Sequence, residues 1–354
     1  MNTKNARTAF KRGMGLLFAL VMLLALVLIQ VPAAAQANTV QVSTWAELRD
    51  AANNSTVTEI ILENDITLPT GAAGNAIVIP AGRDILLTSG PGEVYTLTRA
   101  AGGQRHFLVN GILRLENITL NGNYPTVTAN HGGVVVNAGG NLYMEAGSAI
   151  QNNRNTAGSQ AGGVTVTGAG AGFTMNGGEI SGNSAFSPTA SIGVVGGVFV
   201  QNGAIFTMNG GEIYNNAGRL GGGVTINSAA TFATANTNFI MNGGEIRNNH
   251  STLGGGVNVE RGTFTMTDGA IHNNTASGLG NPPSITIQAN RGGGGVFLQN
   301  TGSFYMEGGI IRDNQSGNHG GGVMRLPGTA FTMTGGTIRG NHTNRDGGGI
   351  FTSD

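Results

Sequence analysis

The chain has 354 residues, 62 of them glycine and none cysteine, with a formal charge of zero at pH 7. The missing cysteine excludes disulfides, thiol catalysis, thiolate-ligated zinc and a lipidated N-terminal cysteine, and this much glycine without a three-residue period excludes collagen. Both lysines lie in the first 37 residues, which leaves 14 Arg against 18 Asp+Glu and a surface poorly suited to nucleic acid.

Residues 1–37 read as a secretory signal. Lys4, Arg7, Lys11 and Arg12 precede the apolar run Leu16 to Val31, then Pro32 and the small-residue stretch Ala33 to Ala37. The alternative is an uncleaved membrane anchor, since the run approaches spanning length; Pro32 and the Ala-x-Ala site after it favour cleavage. The mature chain is therefore expected to be exported, secreted or held on the surface or outer membrane of a bacterium, with no membrane span after cleavage.

Residues 38–130 are expected to form an N-terminal cap and the first irregular coils. Thr44-Trp45-Ala46-Glu47 has the spacing of a capping box and opens a short amphipathic helix through Leu48, Ala51 and Ala52. Carrying the only Trp, this helix is placed over the open end of the first coil, where bare strand edges invite aggregation. Strands are predicted at Thr58–Leu62, Asp65–Leu68, Ile77–Ile79, Ile85–Thr88, Tyr95–Thr98, His106–Val109, Leu113–Leu115 and Ile118–Leu120.

From residue 131 to 354 one unit recurs. Phe173-Thr174-Met175-Asn176-Gly177-Gly178-Glu179-Ile180-Ser181-Gly182-Asn183 returns as FTMNGGEIYNN (206–216), FIMNGGEIRNN (239–249), FTMTDGAIHNN (264–274), FYMEGGIIRDN (304–314) and FTMTGGTIRGN (331–341). A weaker first copy at 142–153 carries one extra residue, and Gly347–Asp354 is expected to open a truncated eighth unit. Alternating Phe and Met mark a strand, and Gly-Gly is incompatible with a helix interior. Two or three short strands per unit cannot bury an apolar face alone, but stacked coils can. The expected fold is all-β, a right-handed parallel β-helix (β-solenoid) of about ten or more coils with a short N-terminal capping helix.

Stacking implies ladders. The expected interior columns are Phe173, Phe206, Phe239, Phe264, Phe304 and Phe331; Met175, Met208, Met241, Met266, Met306 and Met333; and Ile180, Ile213, Ile246, Ile271, Ile311 and Ile338. A fourth column, Asn183, Asn216, Asn249, Asn274, Asn314 and Asn341, is expected at a turn, its amides bonding from coil to coil. Methionine-to-methionine intervals of 31, 33, 33, 25, 40 and 27 fit a constant core coil with inserted loops, the longest including Ser277 to Ile287.

Chemistry is sparse. The recurring acids Glu179, Glu212 and Glu245 share one place in the unit and suit a solvated ladder better than a cation site or a catalytic pair. Arg247, Arg312 and Arg339 share another, read as a charge-balanced flank. His250, His319 and His342 follow Asn in ordinary turn settings. No catalytic, cofactor-binding or metal-ligating residue is expected, and no cofactor.

The stretch STWAELRDA, then EIILENDITL, then units of the form FTMNGGEISGN followed by GGGVFV resemble the right-handed parallel β-helix repeat proteins of bacterial cell surfaces, in the pectate-lyase-like adhesive group. A looser likeness joins the chain to the polymorphic outer-membrane proteins of chlamydiae, whose Gly-Gly-Ala-aliphatic repeat stands here as Gly-Gly-Gly-Val. The resemblance covers about residues 40–354 and implies a non-catalytic surface rod that adheres to glycans, matrix or other cells. The alternative from the same fold is a polysaccharide lyase or glycoside hydrolase acting on polyuronides. Expected partners are a glycan or host-matrix surface, and a second copy meeting the uncapped C-terminal coil end to end; nucleic acid is not among them.

Overall fold

The computed structural model describes residues 38–70, 75–100, 105–126, 131–155, 160–185, 195–228, 236–277 and 292–353. The signal-like leader and all but the first residue of the insert from Ser277 to Ile287 lie outside the described residues.

Among the described residues the protein is an all-β parallel solenoid with one short helix. Among the described residues its strands form four parallel sheets, here A, B, C and D, of eleven, ten, ten and seven strands. A regular coil visits them in the order C, A, B, D, for example Val164–Thr167, Gly172–Met175, Glu179–Ser181 and Ser184–Ala185. The unit thus has four strands where two or three were expected. The fourth, in sheet D, is only two residues long, too short to leave an alternating pattern in the sequence.

Register is uniform. In sheet A, Phe173, Phe206, Phe239, Phe264, Phe304 and Phe331 pair successively. Their rings stack at centroid distances of 4.6, 4.7, 4.8, 4.6 and 5.1 Å, the spacing of neighbouring strands. The Met, Ile and Val columns close the same apolar interior, except that Met333, expected inside, is exposed and Ile338 is only partly buried, because no later described coil covers that side of them. Burying each such side chain contributes about 1.5–3 kcal/mol.

The Asn column is fully enclosed from Asn153 to Asn314. From Asn183 onward each amide oxygen accepts from the backbone N–H and the Nδ2 of the Asn one coil earlier, and each Nδ2 also donates to an isoleucine carbonyl of that earlier coil. The residue before it takes left-handed φ, from 53° to 62°, at Asn152, Gly182, Asn215, Asn248, Asn273, Asp313 and Gly340. Only Gly, Asn and Asp adopt that conformation readily, which is why the unit ends in Asn-Asn, Gly-Asn or Asp-Asn.

At the N-terminal end, the helix Trp45–Asn53 starts on a complete capping box: the Glu47 N–H donates to Thr44 Oγ1 (3.2 Å) and the Thr44 N–H to Glu47 Oε2 (3.0 Å). Trp45, Leu48, Ala51 and Ala52 are buried in the main core, and the helix packs on Thr39–Val42, Glu59–Leu62 and Ile77–Ile79.

Sheet C departs from simple alternation. Its inward residues are mostly valine and isoleucine, yet the outward residues Val135, Thr165, Phe199, Thr225, Asn258, Phe297 and Met324 are buried too. Two satellite clusters form there, Ala161–Val195–Phe199 and Leu253–Phe297–Met324. The segments entering sheet C supply their outer members, bridged in parallel from Ala161 to Val195, Gly221, Gly254 and Gly293. By connectivity, residues 71–74, 101–104, 127–130, 156–159, 186–194 and 278–291 all join sheet B or D to sheet C, whereas 229–235 join C to A.

Candidate functional site

The outer face of sheet B carries two columns in register. One runs Glu179, Glu212, Glu245, Ala270, Ile310, Thr337; the other runs Ser181, Tyr214, Arg247, His272, Arg312, Arg339. They interlock diagonally, each Glu meeting the second column one coil later. Tyr214 Oη donates to Glu179 Oε2 (2.6 Å), Arg247 Nη2 to Glu212 Oε2 (2.5 Å), and His272 Nε2 lies 3.3 Å from Glu245 Oε2. The Arg247 guanidinium also covers the Tyr214 ring at 4.3 Å. Hydrogen bonding to the Glu179 carboxylate, followed by burial, raises the Tyr214 pKa above its ordinary value.

The acids therefore sit half-exposed beside a column of donors, which offsets the repulsion between like charges stacked one strand apart. The second column is only partly a balanced flank. Arg247 pairs across coils, Arg312 turns to its neighbour Asp313 (2.9 Å), and among the described residues no ion pair includes Arg339.

Beside this face runs the A–B turn. Its second glycine has positive φ in successive coils, 78° at Gly178, 80° at Gly211 and 81° at Gly244. The glycines floor two open grooves, of about 510 Å³ around Gly178, Glu179 and Glu212 and about 660 Å³ around Glu245, Gly269 and Arg312. Just before the glycines of these turns stands an exposed amide ladder. Asn242 donates to Asn209 and Asn209 to Asn176, both at 2.9 Å, and Asn176 donates to Glu145 at 2.8 Å. This outer Asn column was not singled out in the sequence, although the Met-Asn-Gly-Gly of each unit marks it.

The histidines do not converge. His250 and His342 are exposed in sheet D. His319, expected in a surface turn, is instead buried, stacked on Phe351 at 4.2 Å and bonded to the Asp346 N–H through Nδ1. It belongs to the segment folded over sheet C, whose cover a single sequence motif does not reveal. Among the described residues no group of three or more His, Asp or Glu could hold a metal ion.

A parallel solenoid with in-register polar ladders on its outer faces defines the class of protein. The model of one family, the pectate lyase-like adhesive domain, matches residues 39–303. The chain belongs to that family. No curated protein and no solved structure matches it.

Proposed function

We propose that this is an exported, non-catalytic surface protein whose A–B edge binds a polyhydroxylated glycan running along the solenoid. One observation carries the reading: the glycine pair of each A–B turn separates, along the chain, a carboxylate column (Glu179, Glu212, Glu245) from an amide column (Asn176, Asn209, Asn242), both repeating at the coil spacing, and an open groove runs along the carboxylate side. Amides donate to and accept from sugar hydroxyls, carboxylates accept from them, and backbone glycines let a chain lie close. The acid column favours a neutral glycan over a polyuronide. The contacts of Glu212 with Arg247 and Glu245 with His272 tie these carboxylates to cationic or donor neighbours, in keeping with binding without turnover. A secreted or surface location is part of the same proposal and accords with the adhesive family. Among the described residues no helix is long and apolar enough to cross a membrane.

The test is binding of the purified protein to a broad glycan and matrix-protein array, read beside uronide release from pectin and related polyanions. Binding without release, weakened at least several-fold in the double variant Asn209→Ala, Asn242→Ala, supports the proposal. Calcium-dependent release of unsaturated uronides would replace it with the lyase reading.

A further inference from the structure

The outward face of sheet A is uncharged over the regular coils. Between each Phe and the Met two residues on, the outward residue is Thr174, Thr207, Ile240, Thr265, Tyr305 or Thr332, in register from coil to coil. The residue before each Phe, from Gly172 to Ala330, lies on the same face and is Gly, Ile, Asn, Thr, Ser or Ala. None of these positions holds Asp, Glu, Arg, Lys or His. On sheet B the same coils place Glu or Arg at half of the outward positions, as at Glu179, Glu212, Arg247 and Arg339. A face shaped only by solubility would carry charge as sheet B does.

That face is also flat. The stacked Phe rings beneath it, from Phe173 to Phe304, differ in plane by only 8, 5, 5 and 7° from one coil to the next. Neighbouring strands of an open sheet rotate by roughly 20–25°. Ile205 and Tyr305 stand out from the face, each 42% exposed, among threonine methyls and hydroxyls. Of the internal segments outside the described residues, only 229–235 joins a strand of sheet A. The exposed amides of Asn176, Asn209 and Asn242 follow directly on the same strands and line one border.

We propose that the outward face of sheet A docks on the surface of an insoluble neutral polysaccharide, a packed layer of uncharged β-linked chains. This rests on the neutral-glycan reading of the A–B edge and deepens it. Sugar rings in such a layer present CH groups and rims of hydroxyls. Ile205, Ile240, Tyr305 and the threonine methyls cover the CH groups, while threonine hydroxyls and the bordering amides exchange hydrogen bonds with the rims. A charge here would have to shed water against a surface that offers no counter-charge, which accounts for its absence. A second copy of the chain fits less well. The face spans roughly 24 by 14 Å, under half of the about 800 Å² per partner of a stable interface.

The test is depletion of the purified protein from solution by microcrystalline cellulose and by chitin particles, beside its binding to soluble neutral oligosaccharides. Saturable binding is expected to at least one of the particles, undiminished in molar sodium chloride. The double variant Thr207→Glu, Thr265→Glu should weaken it about tenfold or more, Tyr305→Ala several-fold, and Arg339→Gln on sheet B not at all. Circular dichroism melts verify folding, and the exposed Tyr305→Ala carries the comparison if the double variant does not fold. Wild-type binding in the folded face variants, binding to neither particle, or binding abolished by salt would overturn the proposal. So would a dimer in sedimentation that Thr207→Glu separates, since the face would then belong to a second copy. Soluble-glycan binding that persists without particle binding removes this inference alone and leaves the A–B edge proposal standing.

Discussion

Asn183 and Asn216 are joined twice: the Oδ1 of Asn216 accepts from the Asn183 backbone N–H at 2.9 Å and from its Nδ2 at 3.0 Å. One side chain thereby replaces a strand bond at a corner and links to the next amide in the column. Asn216→Ala leaves enclosed donors on Asn183 and a bare Ile180 carbonyl, and is expected to cost about 3–5 kcal/mol. Because coils unfold locally, amide exchange at Asn183 is the readout, rising by two orders of magnitude or more. Unchanged protection would refute the account.

Position along the aromatic stack decides the cost of a truncation. Phe239 has ring neighbours on both sides, Phe206 and Phe264, and is fully buried. Phe331, stacked on Phe304 at 5.1 Å, is only partly buried. Phe239→Ala is expected to destabilise by about 3–5 kcal/mol, and Phe331→Ala by under half of that. Urea midpoints of the two variants make the comparison, and equal losses would show that the column is not a stack of pairwise contacts.

Two glycine substitutions separate crowding from backbone strain. A Cβ on Gly223 would lie 2.6 Å from the Gly256 carbonyl oxygen and 2.9 Å from Ile246 Cγ2, so coils 224–227 and 257–259 cannot close. On Gly139, with φ 76°, a Cβ meets nothing within 4 Å. Gly139→Ala should cost only about 1–2 kcal/mol from its left-handed backbone, while Gly223→Ala should cost several times more. Circular dichroism melts would show it.

His106 gives a pH signature. Burial, then the nearby Arg99 charge, pushes its pKa from 6.5 to about 3. The unfolded chain takes up this proton near the ordinary value and the folded chain does not. Its share of stability is therefore complete above about pH 6.5 and is lost as pH falls toward about 3, at no more than about 1.4 kcal/mol per pH unit. Urea titrations from pH 7 to pH 4 should show this slope and its reduction in His106→Gln. A variant with the wild-type slope would place the effect on other groups.

Most of the fold was legible because repetition repeats its evidence. Phe-x-Met with Gly-Gly after it identifies an inward strand and a glycine turn in several copies, and the strands Ile77–Ile79 and Tyr95–Thr98 fall where alternation put them. What stayed hidden depends on contacts the unit does not encode. Phe199, Phe297 and Met324 point away from the main interior and alternate correctly, yet segments of differing sequence cover them. Nothing in the local sequence marks Arg99 as buried, yet it is enclosed, its Nη1 bonding to a carbonyl about 33 positions later. The diagonal pairing of Glu212 with Arg247 was equally invisible: both columns could be read, but not their one-coil offset.

The shared pairing of sheets A, B and C has a consequence for descent. Each coil presents to its successor the same backbone pattern that it receives from its predecessor, as Phe206 pairs with both Phe173 and Phe239 in identical phase. A duplicated or deleted coil would rejoin its neighbours without rephasing any side chain. Unequal recombination within the gene can therefore lengthen or shorten this molecule by whole coils, making its reach a trait that varies in steps.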